Sequence, residues 1–246
     1  MRNLFTALKQ DTHANHAILE NTFPFSMYHK DNVFNDEDYL AILRIMRVFH
    51  QTTVEAVEQA VLQNPAIGRV ASMINREEVL LALSNDTRAL SSSTLPTSAF
   101  SKAPHPNAYS PLSPVGSSSN TEEVATLNLN TKDSCFNFNT ATSQAIAAIY
   151  VWLGSSMGAN IIVRRLEASA LNIPTEYYQA MSGCAKSWVF FKQEVESLLT
   201  ELGLDNERFI SDTVKDANTW FEFLISLGSN TSTNPTLVSR ETEREL

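Results

Sequence analysis

Two glycines stand four residues apart inside a strongly apolar segment, residues 145–163. Gly154 and Gly158 belong to a chain of 246 residues with only 7 glycines. A glycine inside a helix costs about 1 kcal/mol relative to alanine, and positions i and i+4 share one helix face. The pair therefore predicts a helix with one bare face. Such a face admits a flat, bulky group or a closely packed second helix, or it lets the helix bend.

Apolar residues elsewhere in the chain recur at helical spacing, without the alternation of β-strands or an Asn-Gly or Asp-Gly hairpin signal. The predicted fold class is therefore all-α. We expect the glycine pair to thin or kink its helix, and Gly203 and Gly228 to cap the last two helices. The predicted helices cover residues 3–22, 35 to about 64, 69–83, 140–171, 184–202 and 205–227.

The middle of the chain differs in composition from the helical segments. Residues 91–120 are rich in serine and proline and carry few charges, which predicts a flexible loop. Residues 121–139 are ambiguous, because their apolar side chains could anchor the return of the loop to the body. We predict a single domain over 1–228, interrupted by a flexible insertion at about 91–139 and followed by a disordered tail, 229–246.

Composition excludes several functional classes. The formal charge is −9, which argues against a nucleic-acid-binding surface. Cys135 and Cys184 form no metal-binding or disulfide pattern and suit a reducing compartment. No signal-peptide core follows Met1, and no uninterrupted apolar run reaches the roughly 18 residues of a membrane span. We therefore expect a cytoplasmic protein without membrane or nucleic-acid partners.

A histidine in the first predicted helix is a candidate metal ligand. Lys9 and His16 are seven residues apart, so on a regular helix they lie two turns apart on one face. A neutral imidazole can ligate haem iron, and a lysine two turns away can meet a carboxylate at the edge of the same ligand. His13 is a competing ligand on spacing grounds, and an ordinary exposed surface histidine is the alternative.

Together, the two segments resemble the haem oxygenase family, in its bacterial biliverdin-producing type. The family's N-terminal helix has a Leu-(Lys/Arg)-x-x-Thr-x-x-x-His pattern, which residues 8–16 match. Its distal helix has a pattern like Tyr-Val-x-x-Gly-Ser-x-x-Gly-Gly, which residues 150–159 match except for alanine at the last position. The resemblance covers roughly residues 3–85 and 140–228.

This resemblance implies a haem oxygenase-like multi-helical fold that holds haem between a proximal and a distal helix. His16 would be the axial ligand, and the distal face would carry the catalytic positions Gly154, Ser155 and Gly158, with the serine near a water network. Lys9 and Lys192 would contact the haem propionates.

The implied reaction is oxidative cleavage of haem to biliverdin, with release of carbon monoxide and ferrous iron. It would use dioxygen and electrons from an external donor such as a ferredoxin, a flavodoxin or a flavin reductase. The bilin product could pass to a photoreceptor. Two alternatives stay open: a non-catalytic haem-binding or haem-sensing protein on the same scaffold, and a helical interaction protein without haem.

Two residues of the distal segment depart from the family pattern. Ala159 replaces the second glycine, so its methyl group either adds bulk where oxygen would bind or points at a neighbouring helix. Leu153 stands where bacterial members often carry an acidic residue, so a hydrogen bond from that side chain would be missing. Each departure bears on whether haem is degraded or only bound.

Overall fold

The computed structural model describes residues 2–28, 35–93, 136–168 and 173–232. Over these ranges the chain is all-α, with no β-strand. The segments that precede residue 95 and follow residue 135 together form one compact unit. Short 3-10 helices cover Phe25–Tyr28 and Ala185–Ser187. The α-helices are α1 (Leu4–Asp11), α2 (His13–Asn21), α3 (Asp36–Gln63), α4 (Ile67–Ala71), α5 (Arg76–Ser93), α6 (Ala141–Ser156), α7 (Ala159–Ala168), α8 (Glu176–Cys184), α9 (Trp188–Leu202) and α10 (Glu207–Ser232).

The helix predicted over 3–22 is divided into α1 and α2 at Thr12. The buried Thr12 hydroxyl donates a hydrogen bond to the carbonyl of Leu8 at 2.8 Å. Such back-bonding competes with the backbone ladder and bends helices. By contrast, α3 follows its prediction closely, because the Asn35 side chain accepts a hydrogen bond from the Asp38 amide at 2.7 Å and caps the first turn.

Helix α6 lies at the centre of the unit and packs against α3, α8 and α10. Ala141–Ala168, which comprises α6 and α7, is long and apolar enough to cross a membrane by length and composition. In its most apolar window, however, 50% of the residues are buried inside the fold. Trp152 is fully buried there, and its ring contacts Phe49 of α3. A core helix of this kind passes the same test as a membrane span.

The two glycines predicted as helix caps behave differently. Gly203 ends α9 in the left-handed conformation, with φ of 65°, as predicted. The prediction for Gly228 is wrong, because α10 continues through it to Ser232. A Cβ atom at Gly228 would lie 2.7 Å from the carbonyl oxygen of Phe23, so this glycine permits a close approach between backbones.

The borders of the predicted insertion also differ from expectation. Helix α5 continues to Ser93, beyond the predicted end at residue 83. Phe136 and Phe138 pack against aromatic rings of α10, which anchors the chain where it returns to the body. Asn139 adds a hydrogen bond from its amide to the Asp216 carboxylate at 2.7 Å. Residues 94–135 and 233–246, which include most of the predicted insertion and tail, lie outside the described residues.

Candidate functional site

A cavity of about 500 Å³ opens between α2, α6, α7 and α8. This volume is within the range of small-molecule sites. Its walls are mainly aliphatic and aromatic, with a few ionisable or hydroxyl-bearing side chains among them. The lining residues are His16, Leu19, Glu20, Phe25, Tyr28, Met46, Gly154, Ser155, Met157, Gly158, Ile161, Ile162, Arg165, Tyr177, Tyr178, Met181 and Leu224.

The glycine pair lies in the wall of this cavity. A Cβ atom at Gly154 or Gly158 would meet no heavy atom of the described residues within 4 Å. Close packing against another described segment therefore does not explain these two glycines, whereas Gly228 lies against the backbone of Phe23 in the turn that follows α2. The chain also changes from α6 to α7 between Ser156 and Ala159, so the predicted break of the helix occurs at this place. The bare face opens onto space that a ligand could fill.

His16 lies in the same cavity, whereas His13 is exposed outside it. The His16 side chain is 51% exposed, and its Nδ1 atom lies 3.5 Å from Oε1 of Glu20. Its ring also contacts Phe221 edge to face, with the ring centres 5.7 Å apart. Of the two histidines on α2, only His16 is therefore placed to bind a ligand in this cavity.

Ser155 lines the cavity next to the first glycine. Its hydroxyl donates a hydrogen bond to the Trp152 carbonyl at 2.7 Å, so the oxygen can still accept one from a ligand or a water. Ala159 and Leu153 are fully buried and do not line the cavity. The Ala159 methyl group thus leaves the cavity clear, and an acidic side chain at position 153 would face the protein interior.

Neither lysine predicted as a ligand contact lies in the cavity wall. Lys9 lies on α1 and Lys192 on α9, and the described lining contains neither residue. The helical spacing that related Lys9 to His16 is interrupted by the bend at Thr12. The cationic group in the lining is instead Arg165 of α7, which donates a hydrogen bond to the Tyr28 carbonyl. Nothing in the local sequence distinguishes this arginine from its neighbour Arg164, so sequence patterns alone do not identify it as a site residue.

Three tyrosines that the sequence analysis did not single out also line the cavity. The Tyr28 and Tyr178 hydroxyls are hydrogen-bonded to each other. The Tyr177 hydroxyl lies 3.0 Å from Nε2 of His50. Burial raises the pKa of each tyrosine and lowers the pKa of His50 to about 3. All four groups are therefore neutral at physiological pH, so the three tyrosines give this wall hydrogen-bonding groups without charge.

The donor set suits a porphyrin-bound iron better than a bare metal ion. No group of three or more His, Cys, Asp or Glu side chains within the described ranges could hold an ion. Haem brings its own equatorial ligands and needs only an axial group from the protein, for which histidine is a common choice. The cavity, with one histidine, mainly apolar walls and a bare glycine face, therefore has the donor chemistry that haem requires of a protein.

Comparisons of the chain with protein-family models, with curated proteins and with solved structures found no significant match. The function is therefore inferred from the cavity and from the two motif segments.

Proposed function

We propose that this protein binds haem in the cavity and cleaves it oxidatively to biliverdin, releasing carbon monoxide and ferrous iron. The observation that carries the proposal is that His16, Gly154 and Gly158 line one apolar cavity, with open space where a Cβ would lie at either glycine. These residues come from two motif segments that are far apart in sequence. The open space beside the glycines favours the proposal over a helix-packing role, and the position of His16 in the same lining favours it over an ordinary surface histidine.

Each of the cavity residues would have a distinct role in binding haem and admitting dioxygen. His16 would hold the haem iron; with a proton on Nδ1 facing Glu20, its Nε2 lone pair would be available to the metal. The missing side chains at Gly154 and Gly158 leave room for dioxygen, and the Ser155 hydroxyl can hold an ordered water there. Bound haem is both the substrate and the group that activates oxygen, with electrons from an external donor such as a ferredoxin, a flavodoxin or a flavin reductase.

The activity is tested by a visible-spectrum time course of the purified protein with one equivalent of hemin, followed by ascorbate in air with catalase present. Loss of the Soret band with growth of a biliverdin band establishes haem cleavage, because catalase removes free peroxide as the oxidant. A sharp, persistent Soret band without biliverdin identifies a haem-binding protein without turnover. Absence of any hemin-induced spectrum refutes haem binding.

The role of His16 is tested with a matched pair of variants on α2. His16→Ala should abolish biliverdin formation and lower hemin affinity at least about tenfold, since loss of outer-sphere partners of a metal already costs that much. His13→Ala should behave as the unmodified protein, because His13 is exposed outside the cavity. Normal turnover in His16→Ala would refute this ligand assignment.

A further inference from the structure

Met157 lines the cavity at the place where the chain passes from α6 to α7. Its side chain is 55% exposed, which makes it the most accessible methionine of the described ranges. Two further methionines, Met46 and Met181, line the same cavity, but they are only 6% and 1% exposed. A small reagent that enters from solvent therefore has much better access to Met157 than to the other two.

Bare backbone adjoins this methionine on both sides. Gly158 follows it directly and Gly154 precedes it by about one helical turn. A Cβ atom at either glycine would meet no described heavy atom within 4 Å, so neither side chain nor packing shields this stretch of the wall. The Met157 thioether is thus the accessible sulfur on the open face of the cavity.

Hydrogen peroxide oxidises the thioether of an accessible methionine to the sulfoxide. The sulfur lone pair attacks one peroxide oxygen, the O–O bond breaks, and the other oxygen leaves as water. The sulfur is thereby oxidised and the peroxide is reduced. The product is polar where the thioether was apolar, and methionine sulfoxide reductases convert it back.

We propose that Met157 is a reversible oxidation site, and that its sulfoxide weakens binding of a flat apolar ligand in the cavity. The proposal rests on the proposed function for the choice of hemin as that ligand. A ligand that fills the cavity contacts Met157 and removes water from the sulfoxide oxygen without replacing its hydrogen bonds, which is unfavourable. The unoxidised thioether carries no comparable cost, because it is apolar and adapts its shape to a neighbouring group.

The first part of the test needs no ligand. The full-length protein is treated with hydrogen peroxide, catalase removes the excess, and peptide mapping by mass spectrometry measures the sulfoxide at each methionine. Met157 should be oxidised at least about tenfold faster than Met181, since their exposed fractions are 55% and 1%. Equal rates at the two positions would overturn the assignment.

The second part compares hemin affinity, by Soret-band titration, before and after the peroxide treatment. The oxidised protein should bind hemin about tenfold more weakly, which is the cost of burying one polar group without a partner. Methionine sulfoxide reductase with dithiothreitol should restore the affinity. Met157→Leu conserves the side-chain volume, so it should bind hemin normally and resist peroxide. Met181→Leu, the matched control, should stay as sensitive to peroxide as the unmodified protein.

Each other outcome overturns the proposal in a recognisable way. If Met157→Leu still loses hemin affinity after peroxide treatment, another residue is responsible. If circular dichroism shows that oxidation at Met157 removes helix, the sulfoxide acts on the fold rather than on the cavity. If the unmodified protein binds hemin equally well before and after complete oxidation of Met157, this proposal fails while the proposed function stands. If the unmodified protein binds no hemin, the proposed function and the predicted effect on affinity both fail.

Discussion

Gly154 and Gly228 both lie within α-helices, yet substitution of each by alanine should have opposite effects on stability. Alanine is favoured over glycine in a helix by about 0.5–1 kcal/mol. At Gly154 the added methyl group meets no described atom within 4 Å, so the protein should gain that amount. At Gly228 the methyl group would lie 2.7 Å from the backbone carbonyl oxygen of Phe23, which cannot move as a flexible side chain would. Overpacking of this kind costs about 1–3 kcal/mol, so after the helix gain of about 0.5–1 kcal/mol the net change should be a loss of up to about 2.5 kcal/mol.

The assay is urea denaturation of the two ligand-free variants beside the unmodified protein, followed by circular dichroism. A difference of 1 kcal/mol shifts the thermal midpoint of a domain of this size by roughly 2–4 °C, so thermal melts give an independent measure. Gly154→Ala should also bind hemin more weakly, because its methyl group enters the cavity. Gly228→Ala, where it folds, should keep the hemin affinity of the unmodified protein.

Destabilisation of Gly154→Ala to the same degree as Gly228→Ala would refute the reasoning. It would mean that a packed element, rather than open space, adjoins the glycine face of α6. Higher stability together with unchanged hemin affinity would also count against the cavity as the binding site, since a methyl group in its wall should then disturb the ligand.

Two further predictions concern buried polar groups behind the cavity. Burial raises the pKa of the Asp86 carboxyl from 3.8 to about 6, so its ionisation opposes folding. As the pH falls from above 6 to below 4, the contribution of Asp86 to the free energy of unfolding should rise by about 3 kcal/mol. In urea titrations across that range, Asp86→Asn should lack this contribution. His50→Phe removes the partner of the Tyr177 hydroxyl and should cost about 1–3 kcal/mol. Adding Tyr177→Phe should recover part of that loss in a double-mutant cycle, and additive losses would disprove the coupling.

Local signals in the sequence were sufficient for much of the helical architecture. The apolar periodicity and the Asn35 cap predict α3 almost to the residue, and Gly203 ends α9 as expected. A helix start or end depends on side chains within one or two turns of each other. Short-range sequence patterns are therefore enough to predict it. The same patterns bring His16 and the glycine pair forward as candidate site residues, and the structure places them in one cavity. Haem itself remains a prediction from the residues and their resemblance to a family.

Only the tertiary structure distinguished residues that look alike in the sequence. Gly154 and Gly228 are both glycines in apolar helical segments, but one faces a cavity and the other a backbone carbonyl. Arg164 and Arg165 are adjacent, but only Arg165 lines the cavity, while Lys9, apparently aligned with His16, does not. Such differences depend on which distant segments meet and on bends such as that at Thr12. Helix formation is governed by neighbours along the chain, whereas the surroundings of a side chain are governed by neighbours in space.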